Sequence, residues 1–346
     1  MRLLMIGGSG VISTDIVEES LRQGHNVTIL TRGTKTVNRD VEHIQCNAKD
    51  PEALIRCLSG RNFDVVSDFI SFTPEDLLPK LRAVRGHCQQ YMFISSAAVY
   101  DRGYGAFGTT LSAIPPYKGL ISEDRTPTAN FGWNYARDKI ACEHELLKEH
   151  ILYGGEFTII RPAETYNRLR VPGTFVCDHA WYTQIDRMLR GAPTIIHDDG
   201  AACAPFTHAA DFARAYTGLY LNPKAFGQAF HIATEELITW RGVAETIARL
   251  LGVEPNLCFI PSTMLIRELP VTCLGDTYGT IYTSKRFDCP GYDQSKLRDA
   301  VPDFSCRISF EEGMRRTLSY YADHPEARRI DSNFNAAMDR LADLMR

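Results

Sequence analysis

The fold class predicted for this chain is α/β: a doubly wound parallel sheet with helices on both faces, followed by a smaller C-terminal region. Three observations predict it. Apolar runs of strand length alternate with stretches of helical periodicity through the first 162 residues. The links between them are short, as stacked βαβ units require. The first run, residues 3–6, ends in glycines and opens directly into a helical pattern.

The elements follow in order. Residues 14–23 place Ile16, Val17 and Leu21 at helical spacing, and Gly24 is positioned to end that helix. Residues 27–30 and 41–45 read as the second and third strands, and 51–58 as a helix. Residues 65–69 are the fourth strand, 75–84 a helix and 91–94 the fifth strand. A long helix over 135–149 and a sixth strand over 157–160 complete the series. Between Tyr100 and Asn134 the pattern breaks at Gly103, Gly105, Gly108, Pro115, Pro116 and Pro127; long loops of this kind usually carry function. Residues 1–162 are therefore expected to form one domain. Residues 163–346 are expected to form a mainly substrate-binding region with segments returning to the sheet. Residues 326–346 read as an amphipathic helical tail.

Composition bounds the function. The 346 residues are 44% hydrophobic and 23% charged, which suits a globular chain with a sizeable core. A formal net charge of −4 gives no broad basic surface for nucleic acid or an anionic membrane. No stretch approaches the ~20 apolar residues of a membrane span. The opening MRLLMIGGSG is too short an apolar run for a signal peptide. Ten scattered cysteines show no CxxC spacing, so no zinc or redox site is indicated. They are read as free thiols in a reducing, cytoplasmic setting, with no metal.

The glycine turn carries the first chemistry. Gly7-Gly8-Ser9-Gly10-Val11-Ile12-Ser13 lies between strand and helix. A pyrophosphate needs backbone N–H groups at a helix N-terminus with no side chain in the way. Gly7 supplies the tight turn and Gly10 lets the backbone approach the phosphates; Ser13 stands where a third glycine is usual. This is the dinucleotide-binding turn of a Rossmann domain. At the end of the second strand an acid would bond the ribose 2′-OH of NAD. Here Arg32 and Lys35 stand nearby and could hold a 2′-phosphate, so NADP is favoured slightly over NAD and both remain open.

Tyr135 and Lys139 sit at i and i+4 on one face of a helix. A free tyrosine has a pKa of ~10 and is a poor base near neutrality, and a neighbouring ammonium is expected to lower that value. Tyr135 can then trade a proton with a substrate hydroxyl or carbonyl. Ser96, at the end of the fifth strand, can bond the same oxygen; Ser95 beside it is read as capping the strand end.

Taken in order, GGSGVIS, FISSAAVY, YARDK and IIRPAETY resemble the extended, partly atypical short-chain dehydrogenase/reductase family of sugar-nucleotide epimerases, dehydratases and reductases. PFTHAADFA (205–213) and YDQSKL (292–297) resemble later segments of that family, so the likeness covers about residues 1–322. The resemblance implies Ser96, Tyr135 and Lys139 as a catalytic triad, with Lys139 also bonding the nicotinamide ribose. It implies a cofactor set of Gly7, Ser9, Gly10, Val11, Ile12, Arg32, Lys35, Asn47, Phe69, Tyr135, Lys139, Pro162 and Ala163, with Glu164 in the same turn beside the nicotinamide. His208 and Asp211 match positions read as structural, and a homodimer through the Tyr-Lys helix and its neighbour is expected.

The departures matter. Ala97 and Ala98 stand where 4,6-dehydratases of the family carry an Asp-Glu pair, which argues against that elimination. Some atypical relatives have lost catalysis and bind RNA. The first reading is therefore a sugar-nucleotide epimerase. The alternatives are an NADP-dependent reductase or dehydrogenase of a sugar nucleotide or other carbonyl compound, and a non-catalytic nucleotide- or RNA-binding protein. Arg168, Arg170, Arg187, Arg190, Arg241 and Arg286 are candidates to meet a substrate diphosphate, each read individually as a solvated surface residue. Asp198-Asp199-Gly200 is read as a loop.

Overall fold

The computed structural model describes residues 1–34, 40–100, 120–125, 127, 134–175, 177, 180–268, 289 and 291–346. Six strands lead the chain: β1 (Arg2–Ile6), β2 (Asn26–Thr31), β3 (Glu42–Gln45), β4 (Phe63–Asp68), β5 (Cys88–Ile94) and β6 (Glu156–Pro162). A seventh, Gln228–Ile232, joins β6 from far along the sequence. Across the sheet the order is Gln228–Ile232, β6, β5, β4, β1, β2, β3, and every pairing is parallel. The order reverses between β1 and β4, which makes a crevice at their carboxyl ends.

Both faces of the sheet are covered, so its strands are apolar at successive positions. Leu3 and Met5 of β1 point to the layer of α1 (Val11–Arg22), α6 (Ala209–Gly218) and the helix Ser295–Ala300. Leu4 and Ile6 point to the opposite layer of α2 (Pro51–Leu58), α3 (Pro74–Val84) and α4 (Asn134–Tyr153). Local chemistry sets the helix starts. Asp50 and Thr73 accept from the N–H groups of Ala53 and Asp76, and Pro51 and Pro74 occupy the first helical turn, where a missing N–H costs nothing. Gly24 follows α1 at φ +76°, the left-handed conformation that ends a helix.

The remaining chain builds a smaller body. Strands Thr194–His197 and Leu257–Ile260 pair in parallel beside α5 (Tyr182–Leu189) and α7 (Trp240–Leu251). Two short pairs, Glu164–Tyr166 with Phe206–His208 and Cys203–Ala204 with Ile238–Thr239, tie it to the sheet region. The tail differs from the expected continuous helix over 326–346. A 3-10 turn, Pro325–Ala327, comes first, and the helix Ser332–Asp343 starts anew because the Asp331 side chain caps the Phe334 N–H. That helix lays Phe334, Ala337, Met338 and Leu341 on the core as one apolar stripe. Arg187 is a correction to the surface reading: it is buried, and its guanidinium bonds Asp339 at 2.7 Å and Asn335 in this last helix.

Candidate active site

The dinucleotide-binding residues expected from sequence gather, where described, at the carboxyl edge of the sheet. In the turn between β1 and α1, Gly7 has φ +89°, and a Cβ there would lie 2.3 Å from Ile70 Cγ2 at the end of β4. Only glycine fits that crossing of the crevice. Ser13 does more than replace a small residue. Its hydroxyl accepts from the Gly10 N–H at 2.7 Å and donates to the Gly7 carbonyl at 3.0 Å, stapling the turn from inside. A Cβ on Gly10 would meet only that hydroxyl, so the turn is open outward. The first-turn N–H groups of Val11 and Ile12 have no intrahelical acceptor. An open glycine turn with free N–H donors fits a dinucleotide pyrophosphate.

Arg32 is exposed just past β2 and forms no ion pair among the described residues. Lys35 lies outside the described residues. Asn47 is exposed after β3, where its side chain accepts from the Lys49 N–H at 3.2 Å. Phe69, at the end of β4, packs its ring 6.1 Å from that of Tyr216. Pro162 ends β6, and Ala163 follows it.

Ser96 and Tyr135 come together: the Ser96 side chain is near enough to the phenol to hold its pKa down. Ser96 also accepts from the Ala98 N–H at 3.1 Å, so its backbone and side chain are held by the 3-10 turn Ala97–Val99. Lys139 is 2% exposed, and its Nζ donates to the carbonyls of Ser71 and Ile94, each at 2.7 Å. The same Nζ lies 4.7 Å from the Phe72 ring centroid, 4.9 Å from that of Phe93 and 5.9 Å from that of Tyr135.

The electrostatics differ from the sequence expectation. Burial pushes the Tyr135 phenol up, the Ser96 side chain pulls it down, and the charge of Glu164 pushes it up again. The Lys139 ammonium is itself brought down to about 8, by burial above all, against the pull of Asp68. The Lys139 Nζ donates to two backbone carbonyls, and the charge of Glu164 raises the phenol.

Ser95 also departs from simple capping. Its hydroxyl donates to Glu143 Oε1 at 2.5 Å, and Glu143 forms a buried ion pair with Arg161 at 2.7 Å. Sequence reasoning missed Glu143, although it stands four residues after Lys139 on the same helical face. The diphosphate candidates are committed elsewhere: Arg168 to Glu18, Arg170 to Glu164, Arg190 to Asp186 and Arg241 to Glu245. Arg286 lies outside the described residues. His208 and Asp211 are buried, and each serves the backbone: His208 accepts from the Ala210 N–H, and Asp211 from those of Arg307 and Ile308. Asp198 bonds Ser262, and no cluster of metal-ligating side chains occurs among the described residues. No described helix is long and apolar enough to cross a membrane.

Comparison with known proteins agrees with this geometry. The family model described as the NAD dependent epimerase/dehydratase family matches residues 3–233. A 2′-dehydrokanamycin reductase of Streptomyces kanamyceticus is 25% identical over 272 residues, covering 78% of this chain and 72% of the reductase. The chloroplast stem-loop binding protein of 41 kDa b of Arabidopsis thaliana is 26% identical over 272 residues, covering 74% of this chain and 65% of that protein. Among solved structures, the UDP-glucose 4-epimerase of Thermotoga maritima superposes with a TM-score of 0.70 at 18% identity, covering 94% of this chain and 100% of the epimerase.

Proposed function

The chain belongs to the NAD dependent epimerase/dehydratase family, and from that membership we propose that it is an NAD(P)-dependent sugar-nucleotide epimerase working through a keto intermediate. The observation that carries this reading is the meeting of Ser96, Tyr135 and Lys139: the Ser96 side chain acts on the phenol, and the Lys139 Nζ on the same helix as Tyr135 lies 5.9 Å from its ring centroid. Residues 1–162 would hold the dinucleotide and residues 163–346 mainly the nucleotide sugar. The turn of Gly7, Ser9, Gly10, Val11 and Ile12 would take the pyrophosphate, Arg32 and Lys35 the 2′ end of the adenosine ribose, and Asn47 the adenine. Phe69, Pro162 and Ala163 would flank the nicotinamide half, with Lys139 on its ribose. The bound nicotinamide supplies hydride acceptance and hydride return. Tyr135 takes the proton of a sugar hydroxyl as its carbon is oxidised, and gives it back when the keto sugar is reduced on its other face. Ser96 bonds the same oxygen, and Lys139 keeps positive charge beneath the ring. Ala97 and Ala98 offer neither acid nor base, so water is not eliminated at those positions.

A net NADP-dependent reductase is the second reading. The exposed Arg32, without an ion pair among the described residues, and the likeness to the Streptomyces reductase favour it. The name of the Arabidopsis relative raises stem-loop binding, but the net charge of −4 weighs against it, because RNA affinity depends on neutralised phosphates. Exposed Leu147 and Ile151, one turn apart on α4, fit a homodimer through that helix. The nine described cysteines are free thiols, which fits a reducing, cytoplasmic setting. Tyr135→Phe tests the mechanism: turnover of a nucleotide sugar is expected to vanish while dinucleotide binding persists. Retained turnover would overturn it.

A further inference from the structure

A second buried lysine lies behind Lys139. Lys80, on α3, is 0% exposed. Its Nζ donates to the Ser71 hydroxyl at 2.9 Å and to the Asp76 carbonyl. The Ser71 hydroxyl donates onward to Asp68 Oδ2 at 2.5 Å. Asp68, also 0% exposed, further accepts from the Tyr91 hydroxyl at 2.7 Å and from the Ile70 and Ser71 N–H groups. The carbonyl of the same Ser71 is one of the two that hold Lys139. Ser71 is thus joined to Lys80 through its side chain and to Lys139 through its backbone.

Charge makes this arrangement consequential. A buried ammonium is costly unless acceptors and a countercharge surround it. Lys80 reaches Asp68 through the Ser71 hydroxyl, and the charge of Asp68 also acts on Lys139. The other acids near Lys139 are committed: Asp76 pairs with Lys49 at 3.0 Å on the outer side of α3, and Glu143 pairs with Arg161.

We propose that Lys80, acting through Ser71 and Asp68, is a positioning residue for Lys139: it fixes the carbonyl that holds the Lys139 ammonium and competes for the buried carboxylate that balances it. The role rests on the reading of Lys139 as part of the catalytic set.

The groups around Lys139 are Asp68 at the end of β4, the Ser71 carbonyl, Asp76 on α3, the Ile94 carbonyl and the Phe93 ring on β5, the Phe72 ring, and Tyr135, Cys142 and Glu143 on α4, with Lys80 beyond the Ser71 hydroxyl. Burial lowers Lys139 to about 8, and the charge of Asp68 leads the opposition. The signs follow. Asp68→Asn removes that opposition, so the Lys139 titration moves down. Lys80→Met leaves Asp68 without its competing cation, so the titration moves up. Lys80→Arg restores the charge and returns it toward the wild-type position.

The test is carbon-detected NMR on the full chain carrying 13Cε-lysine, with the Lys139 resonance identified by its loss in Lys139→Met. The expected result is opposite shifts for Asp68→Asn and Lys80→Met, each on the order of one pH unit. Either variant serves alone if the other fails to fold. A midpoint unmoved in both, or moved the same way in both, overturns the proposal. A separate titration of Lys139→Met with NADPH and NADH checks the premise. Opposite shifts combined with wild-type dinucleotide affinity and turnover in Lys139→Met would overturn the catalytic reading, and the positioning role with it, while leaving the network in place.

Discussion

Glu143 of α4 and Arg161 of β6 meet through two parallel hydrogen bonds, Nε to Oε1 at 3.0 Å and Nη2 to Oε2 at 2.7 Å, with both side chains 6% exposed. Ser95 adds a third bond to the same carboxylate, and Arg161 Nη1 donates to the Tyr100 hydroxyl at 2.5 Å. The helix that presents Tyr135 and Lys139 is therefore locked to two strands of the sheet two turns below the phenol. Removing one partner strands the other charge in the interior. Glu143→Gln or Arg161→Met is expected to cost about 3–5 kcal/mol, and the apolar double variant Glu143→Leu/Arg161→Met less than the sum of the singles. Urea unfolding of the three variants checks this; additive losses would contradict it.

On the proposed reading, Arg32 governs the choice of dinucleotide. Replacing it by serine removes a charge-assisted contact of roughly 1.5–3 kcal/mol to a 2′-phosphate. The ratio of NADPH to NADH affinity is expected to fall about 10-fold or more, read from fluorescence titration of each. An unchanged ratio would mean that the guanidinium stays in solvent.

Glu164 faces the phenol with a negative charge and raises it. Glu164→Gln withdraws that charge, so Tyr135 is expected to ionise at lower pH. The check is phenolate absorbance against pH, taken as the difference between Glu164→Gln with and without Tyr135→Phe, and compared with the same difference in the parent chain. A phenol that titrates where it did before would remove Glu164 from the site's electrostatics.

How much of this was legible in sequence depends on range. Gly7, Gly10 and the 135/139 pair are local patterns, fixed by backbone conformation and by one helical turn, and the sequence displays them. The paired strands of the sheet followed from apolar runs buried on two faces. Lys80, Asp68, Glu143, Arg161 and Arg187 were invisible because a charged residue in a sequence reads as surface. Each is buried only because the folded chain brings it partners, as Ser71 and Asp76 satisfy Lys80, Tyr91 satisfies Asp68, Arg161 pairs with Glu143 and Asp339 with Arg187. Ser13 was read by its size, and its two hydrogen bonds needed the folded turn. The tail broke where Asp331 caps a new helix, a signal present in the sequence and outweighed there by the amphipathic stretch around it.

Stability should fall on mild acidification. Burial, with the charges of Arg316 and Arg161 respectively, lowers His208 to about 4 and His231 to about 3. Unfolded, both would take a proton near 6.5. Their contribution is full above 6.5 and is lost as pH falls below it. Burial raises Asp15 from 3.8 to about 6, so its contribution is full below 3.8 and is lost as pH rises through 6. The two histidine shifts are the larger, so the net trend between pH 7 and 4.5 is loss. Asp15→Asn removes the opposing contribution. It is expected to be more stable than the parent chain at pH 7 and to lose stability more steeply on acidification. Urea midpoints at the two pH values report both effects, and parallel curves would contradict the assignment.

On the proposed function, this chain carries a dinucleotide through a closed cycle of oxidation and re-reduction. The most direct measurement is mass spectrometry of the nucleotide released when the purified protein is denatured. The account predicts tightly held NAD or NADP near one per chain, and the mass identifies which of the two is held. A protein that is empty and also fails to bind either dinucleotide on titration would contradict the catalytic reading. A protein that is empty but binds added NADPH would contradict the closed cycle and make the exchanging reductase the better description.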